Sequence, residues 1–205
     1  KGRTDLAVYG DSTSRSPIQV LFEVKVPAST AFPTAENLDC KALHEAILYY
    51  IRERYEEKND EIRHVIITNV YEWFVFDAHD FEHHFYTPAL VREYEKWKAG
   101  QKTSKSTGHF YETVSSYIRQ PGAAVPVTYF DLRDYAKLLQ EDENAVVPLF
   151  KALSATHLLK QGFATDSNSL DTGFYNELLY IIGLEEVKEG GKKVIKRTHE
   201  KARNA

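Results

Sequence analysis

The stretch VLFEVKVP, residues 20–27, decides the reading of the fold. Val20, Phe22, Val24 and Val26 alternate with Leu21, Glu23 and Lys25. Alternation with period two, carried by β-branched and aromatic residues, is the signature of a strand. Successive side chains leave a strand on opposite faces, so Glu23 and Lys25 share one face. Leu21 shares it too, and that face is therefore not plainly solvent. The ordinary account of such a pair is a solvated Glu–Lys contact on a half-exposed strand. The neighbouring sequence argues for more.

The segment TDLAVYG, residues 4–10, has the same character. Leu6 and Val8 alternate with Asp5, Ala7 and Tyr9, and Gly10 ends the run. GDSTSRSP, residues 10–17, is then a loop of turn-forming residues. Two strands joined this way pair as an antiparallel hairpin, which can bring Asp5 alongside Glu23 and Lys25. Two adjacent carboxylates repel one another, and a stable fold tolerates them only with a cation between them. Oxygen ligands from Asp and Glu suit Mg²⁺, which keeps several waters and often meets a substrate phosphate. A lysine beside such a site orients a bound water and offsets developing negative charge. Asp5, Glu23 and Lys25 together make a sensible phosphodiester-hydrolysing set. The alternative is a surface ion-pair set on a non-catalytic α/β module that binds DNA or a protein partner.

An Asp, a gap and then Glu-x-Lys on adjacent strands, followed by a helix and another strand, resembles the core of PD-(D/E)XK nucleases. Here the motif is Asp5 in TDLAVYG and Glu23 with Lys25 in FEVKV, with Thr4 where a proline often stands. ALHEAILYYIRERYEEKND, followed by VIITNVYEWFVFDAHDF, is similar to the nuclease region of large bacterial Type IIG restriction–modification enzymes. VTYFDLRDY, LFKALSATHLLKQ and FYNELLYIIGLEE are similar to the helical connector that leads into their methyltransferase. The resemblance implies an α/β, restriction-endonuclease-like core over residues 1–98, a mixed sheet flanked by helices, with its N-terminal part incomplete. A mainly helical connector would follow over residues 99–205. The implied activity is that of a Mg²⁺-dependent endonuclease, the cleavage part of a restriction–modification enzyme, acting on double-stranded DNA in the cytoplasm. Asp5, Glu23 and the carbonyl of Val24 would hold one or two Mg²⁺, and Lys25 would place the attacking water. Methyltransferase and target-recognition domains would share the full-length chain, and two copies would meet transiently on DNA to cut both strands. A repair or recombination nuclease with the same core is the rival; methyltransferase motifs beyond residue 205 would favour restriction.

The helix after the motif is well marked. Leu43, Ile47, Tyr50 and Ile51 form one apolar stripe over about residues 38–58, with Asn37 or Asp39 as cap. Lys41 and Glu45, one turn apart, make an ordinary intrahelical pair. In PD-(D/E)XK nucleases this helix can lend a polar residue to the site, which makes both candidates for substrate contact. HVIITN, residues 64–69, reads as a buried central strand, and YEWFVFDA, residues 71–78, as the next. Asn69 falls at a strand end, as a turn former or as a contact to the DNA backbone. His79 and His83 have a helical zinc spacing, but no HExxH pattern and no cysteine accompanies them, so HDFEHH reads as a surface cluster.

KWKAGQKTSKSTGHF, residues 96–110, is rich in Lys, Ser, Thr and Gly and reads as a linker. Beyond it the spacing predicts helices over HFYETVSSYIRQ, over DLRDYAKLLQEDEN capped by Asp131, and over AVVPLFKALSATHLLKQG with Pro148 in its first turn. A last helix is predicted over TGFYNELLYIIGLEEVKEGGK, ending near Gly183, while AVPVTYFDL is extended.

A chain of 205 residues makes one large domain or two small ones. No run of about 18 apolar residues offers a membrane-spanning helix. The single cysteine, Cys40, excludes an internal disulfide and fits a reducing compartment. Methionine is absent and the chain opens at Lys1, so further residues are expected before it. Residues 1–98 carry 12 Lys and Arg against 17 Asp and Glu, and residues 99–205 carry 14 against 13. An acidic half does not grip phosphate by itself, so the main DNA contacts are expected from other domains. The tail KEGGKKVIKRTHEKARNA, residues 188–205, is basic and reads as a solvated terminus.

Overall fold

The two alternating segments form the expected antiparallel pair, β1 (Leu6–Tyr9) and β2 (Ile18–Val24), with Leu6 opposite Phe22 and Ala7 opposite Leu21. A computed structural model describes residues 4–10, 16–100, 104–120, 125–160, 179–181, 183–189 and 192–197. The chain divides into two compact units, Lys1–Gln161 and Gly162–Ala205.

In the first unit, helix α1 (Lys41–Tyr55) carries the chain from β2 to β3 (His64–Thr68), which lies parallel to β2. A parallel neighbour requires such a crossover. β4 (Glu72–Asp77) returns antiparallel to β3, and β5 (Thr128–Asp131) pairs antiparallel with β4. The result is an α/β unit with a five-stranded mixed sheet in the order β1-β2-β3-β4-β5. All five residues of β3 are buried, as a continuous apolar strand at the middle of a sheet should be.

The two faces of the sheet are covered differently. One face presents Leu21, Val65, Ile67, Phe74 and Phe76 to the main core. Ala42, Leu43, Ala46, Ile47, Tyr50 and Ile51 of α1 pack there. So do residues of α2 (Ala78–Phe85), α3 (Pro88–Ala99) and α4 (Ser104–Ile118), among them Phe81, Tyr94 and Phe110. The other face presents Val20, Phe22 and Ile66 to a smaller cluster closed by Leu158 and Leu159. After β5 the chain forms α5 (Leu132–Glu141), a 3₁₀ turn (Glu143–Val146), α6 (Val147–Ala152) and α7 (Ala155–Leu158). Asp131 caps α5 and Pro148 opens α6, both as the sequence predicts.

Several elements differ from expectation. Residues 96–110 are not a linker: α3 runs through Ala99 and α4 starts at Ser104, with Trp97 and Phe110 buried in the core. The polar residues there occupy helix surfaces, and the two aromatics anchor them. The sheet takes four strands from before residue 98 and its fifth from residues 128–131. Helix α1 is capped by the extended residue Cys40 without a side-chain bond, not by Asn37 or Asp39. In the second unit, residues 184–189 are strand rather than helix. β6 (Leu184–Glu189) pairs antiparallel with β7 (Lys192–Arg197), so part of the basic tail is a hairpin strand. Residues 172–178 of the predicted helix lie outside the described residues. Among the described residues no helix is long and apolar enough to cross a membrane.

Candidate active site

Asp5 stands one residue before β1, and continuing the pairing Leu6–Phe22 by one step sets it across from Glu23. Residues directly opposite in an antiparallel pair share a face. That face is the one covered by α1, since Leu21 belongs to the main core. The Asp5 Oδ2 accepts a hydrogen bond from the Val24 backbone N–H at 2.9 Å, which fixes the carboxylate against β2. The Thr4 hydroxyl donates to the Phe22 carbonyl at 2.5 Å and ties down the approaching chain.

Glu23 and Lys25 leave the carboxyl end of β2. Lys25 N–H donates to the Thr68 carbonyl at 2.9 Å, continuing the parallel ladder with β3 one step further. Lys25 Nζ donates to Glu23 Oε1 and, at 2.7 Å, to Glu45 Oε2 on α1. Lys41 Nζ lies 3.7 Å from Glu45 Oε1 with its side chain 61% exposed, so Lys41 sits at the rim while Glu45 joins the cluster. Asp5, Glu23, Lys25 and Glu45 thus converge where β1, β2 and α1 meet. The carboxyl ends of parallel strands are where open α/β sheets place their ligands.

The electrostatics are uneven. Glu23 is 3% exposed, and its buried Oε2 has no hydrogen-bond partner among the described residues. Burial pushes the Glu23 carboxyl up to about 8; the Lys25 ammonium pulls it back, and the charges of Asp5 and Glu45 push it further. Burial also acts against the Lys25 ammonium, but its bonds to Glu23 and Glu45 outweigh that and hold it above its ordinary value. Lys25 therefore keeps its proton, and Glu23 is the member of the pair whose charge is costly.

Two tyrosines that sequence reasoning missed border the cluster. Tyr49 follows Glu45 by one helical turn, and burial together with the charges of Glu23, Glu45 and Asp5 pushes its phenol up to about 12. The four-residue spacing was the available signal. Tyr111 of α4 is raised by burial and by Glu45, Tyr49 and Glu23, and its ring lies 5.6 Å from that of His44. No local pattern marks Tyr111, because α4 is distant in sequence.

The other candidates fall elsewhere. Asn69 is buried in the β3–β4 turn, where its Oδ1 accepts from Tyr71 N–H at 3.1 Å and Glu72 N–H at 2.7 Å. Its amide nitrogen donates to Glu72 Oε2 at 2.8 Å, so the side chain is committed to the turn. His84 Nδ1 bonds the Asp80 carbonyl at 2.8 Å within α2. Among the described residues no three His, Cys, Asp or Glu side chains gather to hold a metal ion by themselves. A hard cation here would be held by two carboxylates and a backbone carbonyl, with water completing its shell. The open, buried Oε2 of Glu23 fits that set.

Residues 1–166 match the family model described as Domain of unknown function (DUF7149). The chain belongs to that family. Residues 167–205 match a second model, described as Domain of unknown function (DUF7814). No curated protein and no solved structure matches the chain. The DUF7149 match covers the whole sheet and every residue of the cluster, and its end falls close to the end of the first compact unit at Gln161.

Proposed function

We propose that this DUF7149 chain is a Mg²⁺-dependent DNA endonuclease with a restriction-endonuclease-like PD-(D/E)XK core. It would serve as the cleavage part of a restriction–modification enzyme in the cytoplasm. The observation that carries the reading is the convergence of Asp5, Glu23, Lys25 and Glu45, with one buried Glu23 oxygen left open. A buried acceptor without a partner is costly.

Asp5, Glu23 and the Val24 carbonyl would hold the Mg²⁺. When bound, the ion would neutralise charge on the scissile phosphate and make water a better nucleophile at neutral pH. The protein's own part centres on Lys25. An ammonium has three donors. Two are taken by Glu23 and Glu45, which leaves one for the attacking water or a phosphate oxygen. Glu45 fixes the direction of that third N–H, and its carboxylate helps keep Lys25 protonated. Asp5, anchored on Val24 N–H, cannot swing away from β2 without breaking that bond. Methyltransferase and target-recognition domains in the same full-length chain would supply the grip on double-stranded DNA, and a transient dimer would cut both strands.

The test is incubation of the full-length protein with supercoiled plasmid in Mg²⁺, in EDTA, and with Lys25→Ala. Nicked or linear product in Mg²⁺ alone, lost in the variant, is the expected result. Equal cutting by the variant and the parent protein would overturn the assignment.

A further inference from the structure

The turn between β3 and β4 stands beside this cluster in a conformation its residues do not favour. Val70 has φ of 79°, in the left-handed region that β-branched residues avoid. Backbone strain persists only where the surroundings over-determine it, and such places cluster at functional sites. Here the bracing is dense. Asn69 holds the N–H groups of Tyr71 and Glu72. Thr68 Oγ1 accepts from Val70 N–H at 3.0 Å and donates to the Glu72 carbonyl at 2.9 Å. Trp73 Nε1 donates to the Val70 carbonyl at 3.0 Å. The Arg133 guanidinium sits 5.5 Å from the centre of the Tyr71 ring.

The tip of this scaffold presents apolar side chains to solvent, flanked by the Arg133–Glu72 ion pair. Val70 is 58% exposed and Tyr71 45%. Val26, which follows Lys25, is 73% exposed. Because Lys25 N–H bonds the Thr68 carbonyl, Val26 and Val70 continue two neighbouring strands past the end of the ladder. Glycine or asparagine would suit the backbone at position 70 better than valine. An exposed valine there does little for the fold.

We propose that Val70 and Tyr71 form a rigid wedge that packs on a base step of duplex DNA and opens it next to the phosphate at Lys25. This rests on the nuclease reading above. A polynucleotide laid across the cluster puts a phosphate at the ammonium and the adjoining sugar and bases against the strand ends. Apolar side chains that enter a duplex partly unstack it and kink it, and an aromatic ring offers a surface for a freed base. A pre-braced tip does this without ordering itself on binding.

The experiment compares the full-length protein with its Val70→Asn and Tyr71→Ala variants on supercoiled plasmid in Mg²⁺. It measures kcat and KM for cutting, filter-binding affinity for the same plasmid in EDTA, the linking-number change left after relaxation in EDTA by a magnesium-independent topoisomerase with protein bound, and melting temperature. Val70→Asn should melt a few degrees higher, because asparagine tolerates the left-handed region. Its KM should rise about tenfold with kcat within about twofold, and the untwisting of plasmid should shrink. Tyr71→Ala should weaken KM likewise. Variants that cut and untwist like the parent chain would overturn the wedge and leave the nuclease standing. Binding and untwisting that depend on Val70, without cutting, would overturn the nuclease and leave the wedge. A full-length parent protein that neither binds nor cuts would overturn both.

Discussion

Two carboxylates are linked to side chains from the start of α1, half-buried Asp39 through His44 and buried Glu23 through Lys25 to Glu45, and they are treated in opposite ways. Asp39, just before the helix, has both oxygens engaged. Oδ1 meets His44 Nε2 at 2.7 Å, and Oδ2 accepts from the Ser115 hydroxyl at 2.8 Å and Arg119 Nε at 2.6 Å. Burial works against its charge, but the bonds to Ser115, His44 and Arg119 win and hold its carboxyl below the usual range. Glu23 has one oxygen on Lys25 and one on nothing, and burial wins. The first arrangement staples α4 to the start of α1. The second leaves a buried carboxyl oxygen without a partner among the described residues, and burial favours its protonated form. A carboxylate with both oxygens engaged serves the fold, whereas one with an oxygen left open at a cost in stability is a candidate for a ligand.

The largest effect expected from this contrast is on the Glu23 side. Lys25→Ala should lower plasmid cleavage by a factor of about 10³ or more while DNA binding changes little. Gel-resolved cleavage rates and filter binding measure the two, and a loss of binding in step with cleavage would break the contrast. Next comes the Asp39 side. Asp39→Ala strands His44, Ser115 and Arg119 and should cost about 2 kcal/mol of stability. Urea unfolding reads that cost, and cleavage per folded molecule should be unaltered.

The two carboxylates should also respond oppositely to pH. A carboxyl lowered by folding contributes stability above its unfolded value, so the part owed to Asp39 is lost as pH falls below about 4. A carboxyl raised by folding does the reverse. Between its ordinary 4.5 and about 8, Glu23 in the folded protein holds a proton that the unfolded chain has released. Stability should therefore fall as pH rises through that window, by at most about 1.4 kcal/mol per pH unit from this one group. Glu23→Gln should flatten the slope in urea titrations at several pH values. Mg²⁺ should restore stability most at the alkaline end, where the charge is uncompensated; equal stabilisation at pH 5 and pH 8 would contradict the account. The smallest effect belongs to Lys41→Ala. An exposed rim lysine contributes under about 1 kcal/mol, so cleavage should shift by roughly twofold and chiefly in its salt dependence.

The parts of this arrangement that sequence exposes are those with a period or a local partner. Alternation in residues 4–10 and 18–26 fixes β1 and β2, and the same alternation places Asp5 and Glu23 on one face. Glu45 lies across α1 from the apolar stripe, so periodicity alone does not mark it and only the family resemblance does, while Asn69 at a strand end signals a turn. The rest depends on distant segments or on backbone geometry. The Ser115 and Arg119 contacts to Asp39, and the position of Tyr111, come from a predicted helical segment some 70 residues away, and no local pattern says what a distant helix packs against. The short, half-exposed strand Thr128–Asp131 carries no alternation strong enough to assign it to the sheet. The left-handed backbone at Val70 runs against the preference of its own side chain, so no propensity could have found it.

The order of the strands in space is also their order along the chain. Each new strand can therefore dock on an edge already made, and the sheet can grow outward from its N-terminal hairpin as the polypeptide leaves the ribosome. The last docking waits until residues 128–131 have emerged, and until then β4 is a bare edge with Phe74 and Phe76 alongside it. A polypeptide that stops before that point would keep an open template for pairing with other chains. Shortening this protein at its C-terminal side should be most hazardous just before Thr128, well outside the cluster of Asp5, Glu23, Lys25 and Glu45.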